Sequence, residues 1–416
     1  MILKKLLLNK HKFIYVFLNY FIQAANVALN LLMMRVLSPT ELGNISLSKV
    51  FFQSAEYLHL GGRYSLDRYL PSASINKGKL YLNIVFWLYV TVGSIYFLLV
   101  IFFVGDNNLF IFFAISGVAF VLSNFIKVYH RAKLEYVKLN KTTFFILLFP
   151  IVIQFLGLYY HGFQGFIFSF FVSYLISCGV ILCSNHELLQ RIDILEAISI
   201  FFKVLFKPGL MLFSISIIGF IAMIIDRLLI ANIIGFEELG YYSVILFFVT
   251  LYVILPGTIS ELALPTIINK MASSQPIVKY VVLCILITMI SSLVFASLVF
   301  LFIDYGLTII APEYMSLISE IKMALLILIP FSITPFLNHY FNAKDKQGIL
   351  VIVNVSCILV YTSALYLYLV NYEVEFTHLI LLKVAYFTLQ CFVMCILFFI
   401  DYFGERNGVK VCLFNR

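Results

Sequence analysis

Charge is what this chain has least of. Asp, Glu, Lys and Arg make up 12% of its 416 residues, against 63% hydrophobic residues and a mean hydropathy of +1.05. Soluble domains carry about a quarter charged residues, so an ordinary water-soluble globule is excluded. The seven cysteines lie in apolar runs or in the C-terminal tail, at no spacing that suits a disulfide framework or a zinc site. HExxH, G-x-S-x-G and phosphate-loop motifs are all missing. The expectation is therefore no enzyme, no metal and no cofactor. The net charge of +8 is not gathered into a basic stripe, so no nucleic-acid partner is expected.

What the chain has is long apolar runs. The opening "MILKKLLLNKHKF" has the basic start of a signal peptide, but the apolar run behind it reaches about Leu37 and is long enough to span. It reads as an uncleaved first helix. Twelve such runs follow one another, at about 13–36, 42–62, 80–104, 109–130, 142–161, 163–184, 208–234, 240–262, 277–303, 315–342, 348–370 and 377–402. The segments that an N-inside arrangement assigns to the cytoplasm hold 23 of the chain's 28 Lys and Arg. The outward turns hold only Arg35 and are otherwise acidic, with Glu41, Asp106, Glu237, Glu238, Asp304, Glu313, Glu373 and Glu375. That asymmetry predicts an all-α, multi-pass membrane protein with both termini inside.

The connection "SNHELLQRIDILEAISIFFKVLFK" is the longest between spans, and its apolar residues recur at helical spacing. It predicts an amphipathic helix on the cytoplasmic surface. The expected organisation is a six-helix bundle over 1–184, a linker over 185–207 and a second six-helix bundle over 208–416. Internal repetition agrees. Setting Gly43 on Gly240 in "RVLSPTELGNISL" and "ANIIGFEELGYYSVI" matches Glu41 with Glu238, Leu42 with Leu239 and Ser46 with Ser243, an offset of 197 residues. Six spans separate the two turns, so equivalent helices run the same way, as in a parallel repeat about an axis along the membrane normal.

Polar residues inside the spans are the functional candidates, because lipid satisfies neither their hydrogen bonds nor their charge. Asn19, Gln23, Asn26 and Asn30 share one face of the first span, and Ser46, Lys49, Gln53 and Glu56 share one face of the second. Either set serves as helix-to-helix glue or as the lining of a wet cavity. The charges on Lys49 and Glu56 favour the cavity. The 197-residue offset carries Asn30 onto Arg227, with Asp226 as its neighbour. Lys49, Arg227, Lys322 and Lys383 each lie about six to eight residues from the outward end of a span, roughly 9–12 Å deep. They form a candidate tier for an anionic head group. For Lys322 and Lys383, snorkelling to the surface or a local pair, such as Glu320 beside Lys322, is an equal alternative.

"RVLSPTELGNISL", "LGGRYSLDRYLP" and "DRLLIANIIGFEELGYYSV" resemble bacterial polysaccharide-transport flippases. These are the O-antigen and capsule repeat-unit translocases of the multidrug/oligosaccharidyl-lipid/polysaccharide exporter superfamily. The resemblance implies two pseudo-symmetric, MATE-like six-helix bundles around a cavity that opens alternately to either side. It implies an inner-membrane location and, as substrate, oligosaccharide repeat units joined by pyrophosphate to undecaprenol, moved from the cytoplasmic to the periplasmic leaflet. Membrane lipid and other polysaccharide-assembly membrane proteins are the partners it implies. Three alternatives remain at this point, one of them a peptidoglycan-precursor flippase, a class that usually adds spans beyond twelve. A drug/cation antiporter of the same superfamily would need a deep acid, for which Asp226 is the candidate ion-coupling residue. A membrane-embedded glycan polymerase or ligase is disfavoured by the short outer loops.

Overall fold

The computed structural model describes residues 2–105, 107–190, 194–272, 277–344 and 346–406. Asp106 and residues 191–193 of the linker lie outside that set. Among the described residues every regular element is helical: α1 (Ile2–Val36), α2 (Pro39–Ser54), α3 (Gly62–Tyr69), α4 (Ile75–Val104), α5 (Asn108–Ala132), α6 (Tyr136–Thr143), α7 (Phe149–Ser184), α8 (Ile194–Ile200), α9 (Lys207–Ile233), α10 (Phe236–Ala272), α11 (Val278–Ile310), α12 (Ile318–Ala324), α13 (Leu328–Ala343), α14 (Gln347–Asn371) and α15 (Phe376–Arg406). Nine described stretches are long and apolar enough to cross a membrane. One of them, Tyr136–Ser184, is 49 residues long, more than twice what a single crossing needs. At Gly162 the backbone turns to φ 58°, and the two arms of α7 fold back on each other. Gly157 and Gly165 let those arms touch, since a Cβ on either would collide with the other arm. The expected spans over 42–62 and 240–262 correspond to α2 with its following turn and to α10.

The turn between α1 and α2 is fixed by its own side chains. Ser38 caps α2: its Oγ accepts the Glu41 N–H at 3.4 Å, and the Glu41 carboxylate accepts the Ser38 N–H at 2.9 Å. Pro39 opens the helix, where its missing N–H costs nothing. The second span ends earlier than its apolar run suggests. A 3₁₀ turn over Ala55–His59 leads into Leu60 and Gly61, both left-handed (φ 46° and 85°), and the chain restarts as α3. Gly61 meets the backbone of Gly209 so closely that a Cβ would sit 2.8 Å from its carbonyl carbon.

The chain forms two compact units, Met1–Ile217 and Ile218–Arg416. The core of the first includes Leu66, Leu82, Val85, Phe125 and Tyr129. The linker joins this core: Phe201 and Leu205 are fully buried in it. Its start is held by α4. Asn83 donates to the Leu188 carbonyl and accepts the Gln190 N–H, both at 2.8 Å, while Trp87 donates to the Gln190 carbonyl at 2.9 Å. In the second unit α10, α11 and α15 pack around α13 as the central helix, and α14 packs on α15.

Candidate functional site

In the first unit the polar faces lie on separate helices that pack differently. α1 rests on α6 and α7, and α2 rests on α5. Asn19 and Asn30 are half-buried and donate to the carbonyls one turn back, Tyr15 at 2.7 Å and Asn26 at 2.8 Å. This uses one N–H of each amide within the helix and leaves the amide oxygen as an acceptor. Gln23, Asn26 and Lys49 are also half-buried, and Gln53 is exposed. Glu56 forms an ion pair with Arg63, which the left-handed Leu60–Gly61 turn brings back to it. The acid at the end of the second span is thus neutralised locally.

The second unit holds a denser arrangement. Asp226 on α9 is fully buried, and three donors converge on its carboxylate. Lys383 of α15 forms an ion pair with Oδ2, Tyr242 of α10 donates to the same oxygen at 2.6 Å, and the backbone N–H of Arg227 donates to Oδ1 at 2.9 Å. Lys383 is itself 5% exposed, and its ammonium lies 5.9 Å from the centre of the Phe387 ring. A buried carboxylate without a partner would be costly, and here it is fully compensated. Beside it, Arg227 is half-buried, and its Nε is buried with no hydrogen-bond partner. Arg227 lies near enough to add its charge to that of Lys383. Asp226, Lys383 and Arg227 thus place one acidic and two basic side chains together.

A polar seam continues from this cluster along α14 and α15. Tyr361 and Tyr386 pack at a tilt with ring centres 4.9 Å apart, and Gln390 donates to Asn354 at 2.6 Å. None of these four was singled out from the sequence, nor was Tyr242. A signal was present: Lys383, Tyr386 and Gln390 recur at spacings of three and four, as do Asn354, Cys357 and Tyr361. Lys322 takes a different place in this unit. Its ammonium pairs with Asp304 at 3.1 Å and lies 4.8 Å from the centre of the Phe300 ring. Glu320, the local partner considered for it, instead accepts from Ser319 and Thr377. At another point of the unit, Asp401 is held by Lys344 (2.7 Å), Lys346 and the Tyr340 hydroxyl (2.7 Å).

No family model matches the chain, and no curated protein matches it either. Solved structures do. The lipid II flippase MurJ in an inward closed conformation aligns with a TM-score of 0.68 at 14% identity, over 91% of this chain and 86% of that one. The MATE multidrug transporter DinF-BH aligns at 0.66 and 12% identity over 95% of both chains. A MOP superfamily transporter from Pyrococcus furiosus, whose binding pocket is described as reversed in polarity, aligns at 0.54 and 13% over 95% of this chain and 94% of that one. At such identities the likeness speaks for the backbone alone, over nearly the whole length: the chain has the fold that MATE transporters share with the lipid II flippase MurJ.

Proposed function

We propose that this protein is a membrane transporter that flips lipid-linked oligosaccharides, with phosphate in the linkage, between leaflets by alternating access. The observation that carries this reading is the geometry of the Asp226 cluster. The carboxylate is filled by donors from its own unit, Lys383, Tyr242 and the Arg227 N–H. An external cation would have to displace Lys383 to reach it. Arg227, by contrast, keeps an unpartnered buried Nε beside that neutralised pair. A guanidinium offers phosphate oxygens charge-assisted and bidentate bonds, and in a low-dielectric surround these are strong. Arg227 is thus the principal contact for the anionic head group, with Lys49 as the candidate in the first unit. The amide oxygens of the α1 stripe supply neutral polar surface for sugar hydroxyls. Repeat units of O-antigen or capsule type, carried on a polyprenyl pyrophosphate in the bacterial inner membrane, fit these requirements.

The test is transport itself. Loss of the gene should leave lipid-linked repeat units facing the cytoplasm and strip polysaccharide from the cell surface. Unchanged surface glycan together with altered sensitivity to cationic dyes would instead favour the drug/cation antiporter. The likeness to the DinF-BH transporter keeps that second reading in view.

A further inference from the structure

The structure assigns a proton-binding clasp to the inner end of the first unit, where His130, Glu135 and Asn185 join the ends of three spans. His130 lies in the last turn of α5, Glu135 leads into α6 and Asn185 follows α7. The His130 ring is fully buried. Its Nδ1 lies 2.7 Å from Glu135 Oε2, and its Nε2 lies 2.9 Å from Asn185 Oδ1. The amide is oriented by its own helix, because Asn185 Nδ2 donates to the Ile181 carbonyl at 2.8 Å. Both ring nitrogens therefore face oxygens, and each contact needs a hydrogen. A neutral imidazole has one N–H and supplies only one of them. The His130–Glu135 pair completes both bonds only with one proton more than a neutral ring beside a carboxylate. That holds whichever side of the 2.7 Å contact the proton rests on.

The backbone is shaped to put the carboxylate there. α5 ends in a Schellman turn: the Glu135 N–H donates to the His130 carbonyl at 2.9 Å, and the Leu134 N–H donates to the Arg131 carbonyl at 3.1 Å. Such a turn needs a left-handed residue, usually glycine, and here it is Leu134 at φ 57°. Strain of this kind collects at functional positions. Glu135 is 39% exposed, so its carboxylate gives the buried ring a path for protons to and from water. Lys138 of α6 lies 3.5 Å from the same Glu135 oxygen. Other charged groups on the packed elements have contacts of their own. Arg131 pairs with Asp67 of α3, Lys133 donates to the Leu70 and Ala73 carbonyls, Lys79 of α4 donates to the Glu187 carbonyl, and Glu56 pairs with Arg63 beyond α2. Lys127 lies one turn earlier on α5, and His186 turns its Nδ1 to the Cys183 carbonyl at 3.0 Å.

Loss of the proton as the pH rises breaks one of the two bonds. The remaining N–H stays with the carboxylate, the stronger acceptor, and Asn185 Oδ1 then faces a lone pair. Turning the amide over would forfeit its bond to Ile181. The end of α7 is thus held to α5 in acid and released from it in alkali. The second unit makes the corresponding joint from other groups. There the segment after α13 and the end of α15 meet at Asp401, which Lys344, Lys346 and Tyr340 hold. None of these is a histidine, the side chain that titrates near neutrality. The proton dependence therefore belongs to the first unit, and it stands whatever cargo the protein carries.

Nitrogen NMR of labelled histidine rings, on the full-length protein in nanodiscs, reads the clasp directly. The chain has seven histidines, and the His130 signal is the one missing from His130→Gln. Both of its nitrogens should carry protons at the acid end of the range from about pH 5 to 8, and one should lose its proton within that range. Over the same range, amide exchange at residues 181–188, corrected for its intrinsic pH dependence, should rise at least fivefold. It should not rise in His130→Gln. Asn185→Asp places a second carboxylate on the ring and should move the transition to higher pH, whereas Glu135→Gln should move it to lower pH. Should His130→Gln fail to fold, the histidine signal that moves in both of these variants identifies the ring. Three results overturn the proposal: a ring that keeps one protonation state throughout, a titration without any change in exchange at the end of α7, or a transition that neither variant moves.

Discussion

Two equivalent positions of the repeat carry opposite chemistry. At the 197-residue offset, Asp226 corresponds to Leu29 and Tyr242 to Ile45. All four side chains are buried: Leu29 at 4% exposure, Ile45 at 1%, Asp226 at 0% and Tyr242 at 1%. The first unit fills these places with hydrocarbon, and the second fills them with a carboxylate and a phenol that need Lys383 to be tolerated. A buried ion pair is commonly no more stabilising than the apolar residues that could replace it. The second unit therefore holds its charge at a cost that the first unit shows to be avoidable. Such a cost at an intramembrane position is a mark of function.

The largest expected effect comes from breaking that compensation. Lys383→Ala leaves Asp226 buried without its counter-ion and should destabilise the protein by about 3–5 kcal/mol. A steep loss of folded yield and a lower melting temperature in detergent would show it, and an unchanged melt would contradict the pairing. Making the second unit resemble the first, with Asp226→Leu and Lys383→Leu together, should recover most of that stability while transport stays lost. Thermal melts compared with surface glycan on the same cells separate the two effects. Arg227→Ala should reduce glycan export at least tenfold at normal protein level, with Arg227→Lys recovering only part because an ammonium lacks the planar fork. Full export in Arg227→Ala would remove it from the site. Below these comes the cap of the first outward hairpin. Ser38→Ala should cost about 1 kcal/mol and leave export intact. Smallest is Lys322→Ala, whose surface pair with Asp304 is worth about 0–1 kcal/mol; a large loss of export there would place Lys322 with Arg227 in the site.

How much of this was legible in the sequence follows from which forces act locally. Apolar runs and loop charge give the spans, because lipid imposes the same demand on each segment separately. The 197-residue register is readable from a turn of a few residues, and it carries Asn30 onto Arg227. It could not reveal the Asp226–Lys383 pair, whose partners lie 157 residues apart on helices with no sequence relation. The preference for Asp304 over Glu320 as the partner of Lys322 is likewise a matter of how α11 meets the following segment. Hydropathy alone carries the second span to 62. The left-handed pair Leu60–Gly61 and the close approach of Gly209 end it earlier, and neither leaves a mark on an apolar profile. The polar seam on α15 was a missed periodicity, since Lys383, Tyr386 and Gln390 stand in plain spacing.

The hold that α4 keeps on the start of the linker bears on how that segment can change over evolutionary time. Asn83 offers a side-chain amide to the Leu188 carbonyl and the Gln190 N–H, much as one peptide group recognises another, and Trp87 takes the Gln190 carbonyl. Recognition of Gln190 thus runs through its backbone and not its side chain. Position 190 is free to drift among residue types, with proline the exception because it has no N–H to give. The burden of constancy falls on Asn83 and Trp87, about a hundred residues upstream of the segment they restrain.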